Sequence, residues 1–85
     1  MLIDCSIDQV GGMLEHLGPG SSAMVVVDWA GGDGHAFNAV NDQGVIRWVD
    51  GQSGQVGAWP PRYAKPIEWT QAVFIEPDGR PVLPG

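Results

Sequence analysis

Two residues in this chain have the types and spacing to move a proton together. His35 follows a glycine-rich loop, Ala30-Gly31-Gly32-Asp33-Gly34, and Asp50 closes the apolar stretch Val45-Ile46-Arg47-Trp48-Val49. Asp42-Gln43-Gly44 between them reads as a hairpin turn, so the flanking segments become antiparallel partners. Position 35 then falls opposite position 51 or 52, and His35 and Asp50 share one end of a sheet. Cross-strand Cβ atoms lie about 4.5–5.5 Å apart and diagonal ones about 7–8 Å. Either separation lets a carboxylate accept the imidazole Nδ1–H, fixing the tautomer and stabilising the imidazolium formed when the ring takes a proton. The same spacing also suits an ordinary surface hydrogen bond. A His–Asp base becomes a hydrolytic centre only with a nucleophile. Cys5 is the single thiol, placed just before a helix whose N-terminus favours a thiolate.

The remaining candidates point elsewhere. His16 falls near a helix C-terminus, where the dipole favours a cation. Two histidines and one distant cysteine show no metal-ligand spacing. The glycine-rich loop is followed by neither a Lys nor a helix, so it is not a phosphate loop. Trp29, Trp48, Trp59 and Trp69 suit core and strand-end packing, or a groove that holds a partner. No metal and no cofactor is implied.

The elements that must position His35 and Asp50 can be read in order. Ile7, Val10, Leu14 and Leu17 lie on one face of a 3.6-period helix, with Ser6 as N-cap and Asp8 in the first turn. Gly11 and Gly12 inside it cost about 1 kcal/mol each relative to Ala. Gly18-Pro19-Gly20 ends it. Ser22–Trp29 reads as a buried strand, His35–Asn41 and Val45–Asp50 as the hairpin, and Ala72–Glu76 as a last strand. Within His35–Asn41, Ala36, Asn38 and Asn41 are small or polar, and Phe37, Ala39 and Val40 apolar. Trp59-Pro60-Pro61 excludes helix and central strand from the Gln55–Tyr63 segment. The expected fold is α+β: a short N-terminal helix packed on a three- to four-stranded antiparallel meander. Residues 1–76 form the folded part and 77–85 a loosely held Pro/Gly-rich tail.

Composition narrows the partners. Ten Asp and Glu against four Lys and Arg give a formal charge of −6 over 85 residues, which argues against nucleic acid and against anionic lipid. One cysteine cannot close an internal disulfide. A hydrophobic fraction of 44% with four tryptophans is too apolar for a disordered acidic tail. The N-terminus lacks the basic and apolar regions of a secretory signal, and no apolar run approaches a membrane span, so a soluble chain is expected.

Gly34-His35-Ala36-Phe37-Asn38-Ala39-Val40-Asn41 and Trp48-Val49-Asp50-Gly51-Gln52-Ser53-Gly54, preceded by Val25-Val26-Val27-Asp28-Trp29 and the glycine-rich loop, resemble the C-terminal half of the papain-fold toxins of glutamine deamidase type, found at the ends of bacterial polymorphic toxins. The resemblance spans residues 3 to 63. It implies the sheet half of a papain-like cysteine hydrolase fold and a Cys–His–Asp triad, with His35 as base, Asp50 as its orienter and Gln52 shaping the site. The family's cysteine lies in a helix upstream of the segments matched here. The resemblance therefore implies a C-terminal portion that is inactive alone, its cysteine supplied upstream or by a partner chain, unless Cys5 takes that role. It implies further a secreted effector that acts on a protein glutamine in a target-cell cytoplasm, with an immunity protein as another partner. Transglutaminase-like acyl transfer by the same triad, and a catalytically inactive binding module or split-toxin subunit, are the alternatives.

Overall fold

A computed structural model describes residues 2–62 and 67–82. It contains one helix and a six-stranded antiparallel sheet in the order β1-β6-β2-β3-β4-β5. The strands are β1 (Ile3–Asp4), β2 (Ser22–Trp29), β3 (Gly34–Asp42), β4 (Val45–Val49), β5 (Val56–Ala58) and β6 (Ile67–Ile75), and α1 spans Ile7–Leu17. The α+β class stands, but the expected three to four strands are too few. The two additional strands are two and three residues long, too short to show a period, and both lie at sheet edges. The meander expectation also needs correction. Strands β2 to β5 follow one another, but β6 returns to the far side of β2 and inserts between it and β1. It begins at Ile67 rather than Ala72, because Thr70 continues the buried alternation of Ala72 and Phe74.

The helix forms where its apolar spacing and caps require. Ser6 accepts from the Gln9 N–H, and the Gln9 side chain accepts from the Ser6 N–H, a reciprocal capping box. Val10 and Leu14 are fully buried against Val25, Ala39 and Phe74 of the sheet. The two glycines in α1 have different explanations. A Cβ on Gly11 would lie 2.8 Å from Trp59 Nε1, whereas one on Gly12 would meet nothing within 4 Å. Gly11 is thus the seat of an indole that arrives from beyond β5, a long-range contact that helix periodicity does not register. Gly12→Ala is expected to raise stability by about 1 kcal/mol through helix propensity alone. Gly11→Ala is expected to lower it despite the same gain. Chemical denaturation of the two variants checks the opposite signs.

At the β3–β4 turn, Gln43 and Gly44 both have positive φ, 54° and 97°, the backbone of a two-residue type I′ hairpin. Two residues of the expected tail make contacts with the sheet. Pro81 bridges Ile75, the Val82 N–H bonds to the Phe74 carbonyl at 2.9 Å, and Val82 packs on the core. Leu83, Pro84 and Gly85 of the expected tail lie outside the described residues, as does Tyr63. No helix among the described residues is long and apolar enough to cross a membrane.

Candidate active site

His35 stands at the start of β3, paired with Val27 of β2. Its predecessor is glycine at a close strand approach. A Cβ at position 34 would lie 2.8 Å from Asp28 Oδ1 and 3.1 Å from the Val27 carbonyl, so a side chain there would displace the Asp28 carboxylate and press on β2 just where the imidazole is placed. The loop before it closes through the Trp29 N–H to the Asp33 carbonyl at 2.7 Å, with Gly31 and Gly32 at positive φ. The glycines serve the turn and the close strand approach, with no phosphate cradle to build.

Asp50 follows β4. Its N–H donates to the Gln55 carbonyl and its carbonyl accepts from the Gly54 N–H, both at 2.8 Å. The loop between β4 and β5 is therefore pinned at its base. One carboxylate oxygen, Oδ1, accepts from the backbone N–H groups of Gln52 at 2.9 Å and Ser53 at 3.3 Å. The other, Oδ2, lies 2.9 Å from His35 Nε2. The nitrogen is Nε2, not the expected Nδ1, because Asp50 meets the ring from across the β3–β4 hairpin at the outer end of the imidazole. The site's second proton-handling position is then Nδ1.

The imidazole is also held by its faces. The Trp29 ring lies 6.1 Å from it at an interplanar angle of 10°, and Phe37 lies 6.3 Å away at 24°. Phe37 in turn touches Trp59, 6.1 Å away. Side-chain exposures of 25% for His35 and 17% for Asp50 leave the pair reachable yet partly shielded, where a hydrogen bond is stronger than in bulk water. A cavity of about 150 Å³ opens beside the pair, lined also by Phe37, Trp48, Gln55, Pro61 and Arg62. Such a volume falls well below the roughly 300–1,000 Å³ of small-molecule pockets. It has room for about five waters at 30 Å³ each, or for one extended side chain.

Gln52 contributes through its main chain: its N–H holds Asp50, while the side chain is exposed. Cys5 is placed elsewhere. Its N–H bonds to the Thr70 carbonyl at 3.1 Å, and Thr70, Val27 and His35 form one row across β6, β2 and β3. Three strand spacings separate Cys5 from His35, about 14 Å between their Cα atoms. The thiol instead lines a second cavity, of about 490 Å³, together with Met13 and His16. Burial, and after it the Asp4 charge, push the Cys5 thiol above its ordinary value of 9.0, which keeps it protonated near neutrality. Trp29, Phe37, Gln55 and Arg62 around His35 were not singled out from sequence as site residues. Trp29 carried a usable signal: it sits two positions beyond Val27 on the alternating strand, on the face His35 shares. Among the described residues, no group of three or more His, Cys, Asp or Glu could hold a metal ion.

The Asp50 carboxyl is held below its ordinary value of 3.8, chiefly by the Gln52 N–H; partial burial opposes this, and the His35 and Ser53 hydrogen bonds reinforce it. A carboxyl with a depressed folded-state pKa stabilises the fold above pH 3.8 and loses that contribution as pH falls through the lower folded value. Asp50→Asn is therefore expected to melt below the parent chain at pH 6, with the gap closing below about pH 3.8. Melting curves across this range are the check, and a gap of constant size would remove the charge from the account.

Comparison with known proteins adds one finding. The family model described as papain fold toxin 1, glutamine deamidase, matches residues 4–55, more than half of the chain and the whole segment from Cys5 to Gln55. No curated protein and no solved structure gave a significant match.

Proposed function

Because this chain belongs to the papain fold toxin 1, glutamine deamidase family, we propose that it supplies the base and the orienting carboxylate for deamidation of glutamine side chains on a target protein. The observation that carries this reading is the imidazole held against a carboxylate: Nε2 lies on Asp50, and the ring faces lie against Trp29 and Phe37. The cysteine comes from an upstream segment or a partner chain. The roughly 14 Å between Cys5 and His35 and the raised thiol pKa support that choice over Cys5.

His35 Nδ1 takes the thiol proton, and the thiolate attacks the glutamine carboxamide carbon. The C–N bond then breaks, ammonia leaves with the proton returned by His35, and a thioester remains. Water gives a proton to His35 and its oxygen attacks the thioester carbon. The C–S bond breaks, the thiol is reprotonated, and the product is a glutamate side chain. Asp50 keeps the ring orientation through both halves and stabilises each imidazolium. A pocket sized for one side chain suits a glutamine presented by a macromolecule. Action as a secreted toxin in a target cell follows from the family reading, with an immunity protein as its natural antagonist.

The remoteness of Cys5 also favours a second reading, a binding subunit without chemistry of its own. One experiment separates these. The chain is combined with a cysteine-bearing segment, and ammonia and glutamate are measured on a glutamine substrate, with and without a primary amine. Stoichiometric ammonia and glutamate support deamidation. Amine incorporation in place of glutamate indicates acyl transfer, and a complex that forms without ammonia release indicates the binding subunit.

A further inference from the structure

We infer that Arg62 makes this site select glutamines that have an acidic neighbour in the target sequence. The inference rests on reading the His35–Asp50 cavity as the glutamine pocket. The chain carries only four Lys and Arg against ten Asp and Glu. Among the described residues, Arg47 lies 3.3 Å from Asp42 and Arg80 lies 3.5 Å from Asp78. Arg62 is exposed, makes no ion pair among the described residues, and lines the same cavity as His35 and Asp50. The carboxylate in that cavity is not paired with it: one oxygen of Asp50 is bonded to His35, the other to the N–H groups of Gln52 and Ser53.

The cavity holds one side chain, so the residues flanking an inserted glutamine must lie along its rim, where Arg62 stands. A planar guanidinium with no ion-pair partner among the described residues is matched by a carboxylate, which it can hold through two parallel N–H donors. The rest of the surface sharpens the choice. With a formal charge of −6, an acidic target segment is repelled over most of the molecule and attracted beside Arg62, which fixes the position of the neighbouring glutamine. A rim charge of this kind changes affinity about three- to tenfold and is salt-sensitive.

The test is a titration of the isotope-labelled chain, followed by NMR at His35, with four peptides of one length. Three carry a central glutamine flanked by Glu, Ala or Lys, and the fourth has alanine in place of glutamine between Glu neighbours. The Glu-flanked glutamine peptide is expected to bind about three- to tenfold more tightly than the Lys-flanked one. The preference is expected to vanish in Arg62→Gln, to reverse in Arg62→Glu, and to persist largely in Arg62→Lys. Equal affinity for Glu- and Lys-flanked peptides, a preference unchanged in Arg62→Gln, or no binding of the Glu-flanked peptide would overturn the inference. Failure of the underlying reading looks different. Equal binding of the alanine peptide, still dependent on Arg62, would remove glutamine recognition and leave carboxylate recognition standing.

Discussion

Replacing His35 with alanine is expected to reduce glutamine deamidation by the complemented enzyme on the order of a thousandfold or more, read as ammonia released. The size follows from the two proton transfers assigned to one ring. General acid–base catalysis contributes roughly 10²–10⁴, and loss of a triad member leaves only what binding and oxyanion stabilisation provide. Because His35 also packs between Trp29 and Phe37, His35→Gln serves as a second variant that retains bulk and polarity without the base. Both are expected to form the complex with the cysteine-bearing segment and to melt within a few degrees of the parent. Cys5→Ser is expected to retain activity within about twofold, since a thiol three strands away cannot exchange a proton with Nδ1 directly. Full activity in both His35 variants would remove the catalytic assignment. Loss of activity in Cys5→Ser, with the fold intact, would make Cys5 the nucleophile and require a large rearrangement of β1 against β6.

The His–Asp proximity was legible because it depends on a local hairpin. Once Asp42-Gln43-Gly44 is read as a two-residue turn, the register follows, and the strand pairs Asn38–Val49 to Asp42–Val45 place position 50 near position 35 without knowledge of the rest. The papain-fold toxin membership was legible for the same reason, since its two motifs flank that turn. What was not legible depends on long-range contacts. Insertion of β6 between β1 and β2 joins residues about 40 to 70 positions apart, and nothing in the alternation of Ile67–Ile75 names its neighbour. The Trp59 seat on Gly11 is another such contact. The identity of the imidazole nitrogen is set by the direction from which Asp50 approaches, and that direction comes from the loop hydrogen bonds of Gln52, Ser53 and Gln55. Motif spacing placed the two side chains together; the turn chemistry between β4 and β5 decided how they meet.

The same motif hides a residue whose importance is structural. Asn41 reads as polar, grouped with Ala36 and Asn38, and the register puts it on the core side with Phe37 and Ala39, 4% exposed, while Val40 faces the other way. Its Nδ2 donates to the Leu14 carbonyl at 2.9 Å, its Oδ1 accepts from the Gly44 N–H at 2.8 Å, and its backbone bonds to Ser21 and Gly20. One side chain thus ties the end of α1 to the β3–β4 turn. The Leu14 carbonyl accepts from the Gly18 N–H at 3.0 Å, and Asn41 and the Ser21 hydroxyl, 3.2 Å away, serve it further from the sheet side. Asn41→Ala removes two hydrogen bonds and leaves the Leu14 carbonyl to the Gly18 N–H and the Ser21 hydroxyl. A loss of about 1–3 kcal/mol is expected, against a total of about 4–13 kcal/mol for a chain of this length, with the melting temperature lowered by roughly 5–20 °C. Asn41→Asp separates the two bonds, because it keeps the acceptor for Gly44 and loses the donor to Leu14. Thermal melts of both variants, with the His35 resonances followed below the transition, are the measurement. If Asn41 acts only through the scaffold, the His35–Asp50 hydrogen bond survives in the folded fraction of each. Loss of that bond at temperatures where the chain remains folded would show that the end of α1 also sets the geometry of the site.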